Sequence, residues 1–585
     1  MIYTYLFEAK AVQSYLFQGN KLKDLISASE RLDRMIDESH DSLLFHVLEA
    51  ANLEHDLITA TKSNESVRFL RCKGGAFYAF STSKDALVKL REAWTLTLSQ
   101  LFPTLVYVDA LNHGDSLSKS LEAAMKGLGA DRNLPQVNFP IATAITERYS
   151  RTGNPSTKLS ALAKKSSPDE RANDSGLDLD TDLHRQALSA WNLKDASALT
   201  NRFTPEGLRG LVKFPIEFED EFPFVGSKDG LSKREREAIK DMALIHIDGN
   251  GLGVLLRKLQ DKLKDKSDDV FASSFRMFST ALNRATLKAA QIATQNLYDR
   301  VSQKSEHDIS LLPMRPVVLG GDDVTLFCRA DLAMTYANDF CSAFKSVSKD
   351  ELNQLYQQHL KGSGIEPFMT ASGGVLYHKA SHPFMACHQM VEALCLVAKK
   401  LTKSVHGDQS DKVGPAALAF YRITSSTHEE LESIYNQSQN YQVIDDNSKE
   451  TINVSISQLA YFVDENTDHE RHIDNLAALM KLSQQPGSPV SMAKWRQMAT
   501  HLSRGDLSES KRVFSRAKSL ADAKDAVALE KIFLKLSANK QNDWLWLKES
   551  ESSRCLYQTP INDLLVLEHF QPVKIEGPQA CEERI

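Results

Sequence analysis

Two adjacent carboxylates, Asp322 and Asp323, follow two glycines and stand between two apolar runs. The stretch 315–329 reads RPVVLGGDDVTLFCR, which predicts a β-hairpin whose tip carries both side chains. Gly320 and Gly321 permit the tight reversal, because a residue without Cβ adopts positive φ at little cost. The alternative interpretation is an ordinary acidic turn, since Gly and Asp are the commonest turn residues.

A third carboxylate, Asp248, comes directly after the apolar run 243–247, which reads as a short buried strand. Gly249, Asn250 and Gly251 form the loop that follows, and helical periodicity begins at Val254. A carboxylate at a strand end, followed by a glycine-rich turn into a helix, is a common site for phosphates and a metal ion. Backbone N–H groups at the helix start face the anion, and the metal offsets its charge.

The predicted elements around these residues form a ferredoxin-like split unit, in which the hairpin lies between two crossover helices. After the hairpin we predict a helix, a strand, a second helix and a last strand, over 330–347, 368–377, 383–403 and 416–423. This order places Asp248 beside Asp322 and Asp323. Three hard oxygen ligands of this kind suit two Mg²⁺ or Mn²⁺ ions, as in the palm sites that perform nucleotidyl transfer.

The amino-terminal part repeats the same order of elements, so the sequence predicts an α+β protein with two palm-like units. Its hairpin reads KGGAF where the second reads LGGDD, and without carboxylates at the tip it is interpreted as a degenerate copy. The predicted strands are 2–7, 66–71, 77–80 and 105–110, and the helical stretches are 9–37 and 84–101.

Further candidate nucleotide ligands lie downstream of the hairpin. Lys399 and Lys400 stand at the carboxyl end of helix 383–403, where they could reach a triphosphate. The alternative is that these lysines complement the helix dipole and face solvent. Ser372 and the pair Gly373-Gly374 could let a base or ribose approach the strand, or could simply relieve packing.

The composition is that of an ordinary soluble protein with several domains. The chain has 585 residues, 25% of them charged, and a net charge of −6, which argues against a strongly basic nucleic-acid binder acting alone. The seven cysteines are scattered without a C-x-x-C pair, which is typical of a reducing cytoplasm. We see no signal peptide and no apolar run long enough to span a bilayer, so a cytoplasmic location is expected.

Several motifs together resemble the large polymerase-like subunit of type III CRISPR effector complexes, whose palm is also similar to that of GGDEF-type diguanylate cyclases. The resemblance spans nearly the whole chain and is strongest at the hairpin. The matching segments are DGNGLG at 248–253, GGDD at 320–323, VLYHK at 375–379, Val12-Gln13, Lys21, Asp24-Leu25, Ser27-Ala28-Ser29 and TPINDLL at 559–565.

The resemblance implies an enzyme, a metal-dependent nucleotidyltransferase that converts ATP into cyclic oligoadenylate, a second messenger for antiviral defence. It implies a site assembled with backbone and small subunits, guide RNA and target RNA, and switched on by target RNA. Gly249, Asn250, Gly251, Gly320 and Gly321 are expected to contact the nucleotide. Two alternatives stay open: a catalytically weak scaffold subunit of the effector, and a stand-alone cyclic nucleotide synthase.

The resemblance also suggests a domain organisation. We predict a degenerate palm over 1–136, a mostly helical linking insert over 137–238, the catalytic palm over 239–425 and a helical domain over 426–585. Many relatives carry an HD nuclease domain before the first palm, for which this sequence leaves no room; His55-Asp56 is interpreted as a chance dipeptide. The stretch 164–182 is predicted to be an exposed or mobile loop and 214–224 a packed linker.

Two departures from the family pattern concern metal ligands. The segment 146–156 resembles a zinc-binding motif, but its cysteine is replaced by Tyr149 or Ser150, so the metal is not expected. Asn250 stands where relatives often have a second aspartate, and we expect activity to persist because Asn250 can still donate to a phosphate or ribose.

The carboxy-terminal part is predicted to be helical over 452–463, 473–482, 491–502, 508–521 and 526–536. Its basic residues are interpreted as a solvated helical surface, with a nucleic-acid or protein contact as the alternative. The residues after about 574 are expected to be disordered.

Overall fold

The computed structural model describes most of the chain, in segments separated by short gaps. The described residues are 1–19, 21–60, 63, 65–134, 142–157, 176–193, 197–216, 241–302, 311–362, 366–405, 412–424, 430–444, 451–465, 467–537, 540–548 and 556–570. The predictions for 217–224 and for the residues after 574 lie outside them, as does most of the stretch 164–182. The end of that stretch, 177–182, is buried and ordered into a strand and a helix, so the predicted exposed loop is wrong there.

The first half of the described chain contains a four-stranded sheet with its helices, followed by the short elements of the insert. The first unit comprises β1 (Ile2–Ala9), α1 (Val12–Phe17), α2 (Leu22–Asp33), α3 (Leu43–Ala50), β2 (Arg68–Lys73), β3 (Ala76–Ser81), α4 (Lys84–Leu101), β4 (Tyr107–Gly114) and α5 (Leu117–Asp131). The insert comprises β5 (Ser156–Thr157), β6 (Leu177–Asp178), α6 (Leu179–Ala190) and α7 (Ala198–Phe203).

The second half contains the larger sheet and the carboxy-terminal helices. The palm elements are β7 (Asp241–Asn250), α8 (Leu252–Leu263), α9 (Asp268–Ser302), β8 (Met314–Gly320), β9 (Asp323–Arg329), α10 (Ala330–Leu355), β10 (Thr370–Lys379), α11 (Phe384–Ser404) and β11 (Ala417–Arg422). The remaining elements are α12 (Leu431–Gln439), β12 (Asn440–Ile444), β13 (Thr451–Ser455), β14 (Ala460–Phe462), α13 (Ile473–Gln484), α14 (Met492–Ser503), α15 (Leu507–Ser519), α16 (Ala523–Leu536), β15 (Trp546–Lys548), β16 (Leu556–Gln558) and α17 (Ile561–His569).

The two palm sheets share one topology, which confirms the predicted α+β fold with a duplicated split unit. The first sheet has the order β2-β3-β1-β4, with β1 antiparallel to both of its neighbours. The second repeats this order as β8-β9-β7-β10 and extends it by β11, parallel to β10, and by β14. In both sheets the first strand of the unit is central, which puts residues at its end in the middle of the sheet edge.

The central strand β7 is buried on both faces, which explains its continuous apolar sequence. Ala243, Ile245 and Ile247 belong to the hydrophobic core that includes α9 and α10. Met242 and Leu244 face the opposite core, which contains α11 and part of the first palm. The alternation fixes the register of β7 in the sheet, because a slip of one residue would exchange the two faces.

Helix α2 of the first palm contacts both the insert and the hairpin formed by β8 and β9. Asp24, part of the family-like motif, forms a buried ion pair with Arg185 on α6. Glu30 accepts hydrogen bonds from two backbone N–H groups at the start of α7, those of Ala198 at 3.0 Å and Leu199 at 3.3 Å. The hydroxyl of Ser29 donates to a backbone carbonyl of β8. This part of the motif therefore has a structural role between the palms.

One helix predicted in the carboxy-terminal part, over 452–463, is wrong. These residues form β13 and β14 instead, and β14 pairs with β11 at the edge of the palm sheet. Ile452, Val454 and Ile456 alternate with polar residues, which is strand periodicity, and the pairing partner is far away in the sequence. The other four predicted helices correspond to α13, α14, α15 and α16. No helix in the described part of the chain is both long and apolar enough to cross a membrane.

A buried carboxyl group on the carboxy-terminal helix α17 forms hydrogen bonds with the segment that connects β13 and β14. Asp563 is 1% exposed and accepts hydrogen bonds from the N–H of Gln458 and the hydroxyl of Tyr461, both at 2.6 Å, and from the Ser457 hydroxyl. Burial raises the pKa of Asp563 to about 6. The folded state therefore holds this proton more tightly than the unfolded chain does.

We expect this carboxyl to make stability pH-dependent. The unfolded chain loses this proton near pH 4, whereas the folded state keeps it until about pH 6. The free energy of unfolding therefore falls as the pH rises from about 4 to about 6, and it stays lower above that range. Asp563→Asn should remove the dependence, so that from pH 4 to pH 8 the variant gains about 3 kcal/mol relative to the wild type. Urea unfolding of both proteins across this range measures the effect, with the exposed Asp299→Asn as a control. Parallel curves for Asp563→Asn and the wild type would contradict it.

Candidate functional site

Asp248 lies near the carboxyl end of β7, at the edge of the palm sheet. The strand continues through Asn250, and Gly251 then adopts a φ of 74° and begins α8. This left-handed conformation is strained for residues with a Cβ, so glycine is required at that turn. The backbone thus passes from a buried strand directly into a helix, which confirms the predicted order of elements. The predicted loop at Gly249 and Asn250 is wrong, because both residues extend the strand by pairing with Ala371 and Thr370 of β10.

The hairpin tip brings Asp322 to Asp248. Gly320 pairs with Asp323, so Gly321 and Asp322 are the two central residues of a tight four-residue turn, as predicted from the sequence. The carboxyl groups of Asp322 and Asp248 are close enough to share a hydrogen bond. Burial, and then the charge of Asp248, raise the pKa of Asp322 to about 7. Two carboxyl groups held this closely favour a proton or a cation between them.

Asp323 contacts a different set of side chains. One of its carboxylate oxygens lies 3.2 Å from Nδ1 of His246, and the other accepts a hydrogen bond of 3.4 Å from the amide of Gln13 in the first palm. Burial disfavours the charged form of His246, but Asp323 and Asp248 outweigh it and raise the pKa of the ring. The structure therefore pairs Asp248 with Asp322 and holds Asp323 at the junction of the two palms.

Lys399, but not Lys400, reaches the aspartate pair. The ammonium of Lys399 contacts the Asp248 carboxylate and donates to the carbonyl of Gly249 at 3.2 Å. Lys400 is exposed and does not line the cavity beside Asp248. Adjacent residues on a helix point about 100° apart, so only one of the two can face the site.

Gly374 and Gly373 allow close packing around β10, which decides between the two interpretations of these glycines. A Cβ at Gly374 would lie 2.4 Å from the carbonyl oxygen of Val391, so a side chain there would push α11 away. A Cβ at Gly373 would lie 2.6 Å from the carbonyl oxygen of His246 on β7. Gly374 therefore lets α11, and Lys399 with it, lie close to the sheet, while Gly373 allows close contact with β7.

Asn250 and Ser372 form buried hydrogen bonds that attach the end of β7 to β10. Asn250 donates to Ser372 at 2.8 Å and to Thr370 at 3.0 Å, and Ser372 is fully buried. The Ser372 hydroxyl also lies 3.1 Å from that of Thr402 and accepts from the N–H of Ala417 at 3.1 Å. These residues fix the loop relative to β10 and α11, while Gly249 and Gly251 line the cavity in front.

A cavity of about 540 Å³ opens between the glycine loop and α11, a size typical of small-molecule sites. Asp248, Asp322 and Lys399 line it together with three basic residues that sequence reasoning did not assign to the site: Arg257, Lys403 and Lys412. Arg257 lies in the second turn of α8, so a search for basic residues just after the glycine loop would have found it. Lys412 comes from the segment before β11, and no sequence signal places it there.

A second cavity, of about 310 Å³, lies on the other side of the hairpin tip. It is bounded by Asp322 and Asp323 and by first-palm residues that include Gln13, Arg71 and Lys73. The hairpin tip therefore separates two spaces, one within the second palm and one between the palms.

The aspartates fit a divalent cation by their chemistry. Asp248 and Asp322 offer hard oxygen donors, and a cation between them would relieve the repulsion that raises the pKa of Asp322. Across the residues that the structure describes, no group of three or more His, Cys, Asp and Glu side chains is arranged to hold a metal ion. Asp248, Asp322 and Asp323 as a joint set of metal ligands therefore stay a prediction.

Comparison with known proteins identifies the second palm. Residues 241–405 match the family model described as the second palm domain of Cas10/Cmr2. The chain therefore contains a Cas10/Cmr2 second palm domain, and the resemblance to the large subunit of type III CRISPR effectors is confirmed at this domain. The match covers the aspartates, the glycine loop and Lys399. None of the curated proteins matches the chain.

Three solved structures are similar to the chain over most of its length, each with 11% sequence identity. Csm1 of T. onnurineus has a TM-score of 0.46, with 98% of this chain and 70% of that chain covered. A Csm1–Csm4 cassette in complex with AMPPNP has a TM-score of 0.46 and the same coverage. A Csm1–Csm4 cassette in complex with cA4 has a TM-score of 0.43, covering 92% of this chain and 70% of that chain.

Proposed function

We propose that this chain is a nucleotidyl cyclase that condenses ATP into cyclic oligoadenylate within an RNA-guided type III effector, under the control of target RNA. The observation that carries the proposal is the closely spaced, half-buried pair of Asp248 and Asp322 beside a basic cavity, inside a Cas10/Cmr2 second palm. In the reaction, the 3′-hydroxyl of one ATP attacks the α-phosphate of the next, which forms a phosphodiester and releases pyrophosphate.

The chain's own groups would bind and orient the triphosphate. Residues 249–254, from the end of β7 to the start of α8, line the cavity, and their backbone N–H groups would bind phosphate oxygens. Lys399, Arg257 and Lys403 line the same cavity and would neutralise the charge that develops on the leaving pyrophosphate. The rate enhancement would come from positioning and electrostatics rather than from a covalent intermediate.

Mg²⁺ or Mn²⁺, held by Asp248 and Asp322 with Asp323 as the next candidate ligand, would supply charge neutralisation and activation of the attacking hydroxyl. The ion pair between Lys399 and Asp248 supports this proposal, because it places a positive charge at the carboxylate on the cavity side. Two ions remain our expectation, as in other palm sites.

The test is to incubate the full-length protein with each NTP and Mg²⁺ or Mn²⁺, alone and with co-expressed guide complex and matching target RNA. Products are identified by mass, with the Asp322→Ala/Asp323→Ala double variant alongside. A cyclic oligoadenylate that forms only with target RNA and is lost in the variant supports the proposal. Product without RNA would favour a stand-alone synthase, and bound nucleotide without product a scaffold subunit.

Replacing the two neighbouring lysines separately tests which one binds phosphate. We expect Lys399→Met to raise the KM for ATP about tenfold or more, because an ammonium within the cavity is lost. Lys400→Met should leave KM within about twofold, because exposed charges away from the ligand contribute little. Steady-state kinetics with ATP measures both. Equal effects of the two substitutions would contradict the orientation of α11 described above.

A further inference from the structure

The catalytic hairpin ends in a turn whose central peptide has two accessible orientations. Gly321 has a φ of 62°, whereas Asp322 has a negative φ, which is the pattern of a type II′ turn. A type I′ turn differs mainly by a flip of the peptide between these two residues and requires positive φ at both. Aspartate tolerates positive φ better than most residues, so the flipped turn is accessible to this sequence.

A flip of this peptide would change where the Asp322 side chain points. The Gly321 carbonyl and the Asp322 N–H belong to the same peptide, so their reversal rotates the backbone on which the Asp322 Cβ is carried. In the observed orientation the Asp322 carboxyl meets Asp248. Whatever holds the Gly321 carbonyl therefore also holds the carboxyl pair together.

The group that holds this carbonyl is the hydroxyl of Thr286 on α9. Thr286 is 1% exposed, and its Oγ1 donates to the Gly321 carbonyl oxygen at 2.6 Å. Its other acceptor is the Leu282 carbonyl within the same helix, at 3.1 Å. A short hydrogen bond from a buried hydroxyl favours the one peptide orientation that forms it, because a flip would turn the Gly321 carbonyl away from this donor.

The opposite side of the turn is confined by the first palm. A Cβ placed on Gly320 would lie 3.2 Å from the Cα of Gly74, at the tip of the degenerate hairpin. The turn is therefore enclosed between α9 and the hairpin that has lost its carboxylates. This confinement limits movement of the whole tip, while Thr286 selects the orientation of the peptide within it.

We propose that Thr286 is a positioning residue: its hydroxyl keeps the Gly321–Asp322 peptide in the type II′ orientation and thereby keeps Asp322 against Asp248. The inference rests on the proposed function only for its kinetic consequence. The effect on the turn itself is measurable without any activity.

The experiment compares Thr286→Val with Thr286→Ser and with a matched control, Thr294→Val. Valine has nearly the shape of threonine without the hydroxyl, and serine restores the donor. Thr294 lies on the same helix, is fully buried and has its hydroxyl 3.4 Å from that of Tyr336, away from the turn. Thermal unfolding checks that each variant is folded. If Thr286→Val does not fold, Thr286→Ala replaces it.

Two readouts decide the outcome. Hydrogen exchange by mass spectrometry over 315–329 should become faster in Thr286→Val and stay as in the wild type in Thr286→Ser and Thr294→Val. Under conditions in which the wild type forms product, Thr286→Val should lower kcat about tenfold to a hundredfold with KM within about twofold, and serine should restore kcat. Exchange over 315–329 that is equal in Thr286→Val and Thr294→Val would overturn the inference. Faster exchange in Thr286→Val, with no product even from the wild type, would support it while the proposed function fails.

Discussion

Asp322→Asn is expected to reduce product formation from ATP by about 10³-fold or more without unfolding the protein. Asparagine has nearly the same size as aspartate but carries no negative charge and is a far poorer ligand for Mg²⁺ or Mn²⁺. The buried position of Asp322 against Asp248 raises its pKa to about 7, so the folded chain bears an electrostatic cost there. Removing this cost should leave the midpoint of thermal unfolding unchanged or raise it.

Single-turnover rates with saturating ATP, measured with thermal unfolding of the same preparations, test this expectation. The matched control is Asp299→Asn, an exposed aspartate on α9 whose carboxylate accepts from Gln295 at 2.8 Å. This control should retain the wild-type rate. An Asp322→Asn protein that retains more than about a tenth of the wild-type rate would show that the reaction does not depend on this carboxylate.

The second large effect is expected from Gly249→Ala, which adds one methyl group beside the aspartate pair. A Cβ at Gly249 would lie 2.9 Å from both Cβ and Oδ2 of Asp322, closer than two non-bonded atoms approach. Asp322 is confined by its turn, so the added methyl group must displace its carboxyl from Asp248. A displacement of about 1 Å at reacting groups lowers rates by about 10²-fold.

The steric origin of this effect is tested with a second glycine. Gly129→Ala, at an exposed position of α5 with no atom within 4 Å of the added Cβ, should leave activity unchanged. For Gly249→Ala we expect kcat to fall while the midpoint of thermal unfolding shifts by only a few degrees, as for a local clash. A crystal structure of the variant with Asp322 unmoved, or unchanged kcat, would contradict the close approach described here.

The site depends on contacts that a single motif cannot encode. Gln13 of the first palm reaches Asp323, and Gly74 touches Gly320, although each pair is separated by more than two hundred residues. The sequence showed that the first hairpin lacks carboxylates, which indicated a degenerate copy. Its place against the tip of the second hairpin, which carries Asp322 and Asp323, follows only from the packing of the two sheets.

Local sequence was a reliable guide where the signal lies within a few residues. The run before Asp248, the glycine loop and the GGDD turn each specify their own backbone, because apolar periodicity and positive φ are local properties. The prediction of a helix over 452–463 was wrong because the structure of this segment depends on contacts outside it. Its strands are stabilised by partners such as β11 and β16, which are distant along the chain.

The sequence by itself determined the duplicated palm order, the positions of Asp248, Asp322 and Asp323 at strand ends, and the class of reaction they suggest. Only the tertiary structure decided that Lys399 rather than Lys400 meets Asp248, that Arg257 and Lys412 line the same cavity, and that Thr286 holds the turn. The physical reason is that strand ends and turns are set by local backbone preferences. The direction of a side chain on a helix, and its distance from another element, are set by how the helices pack on the sheet.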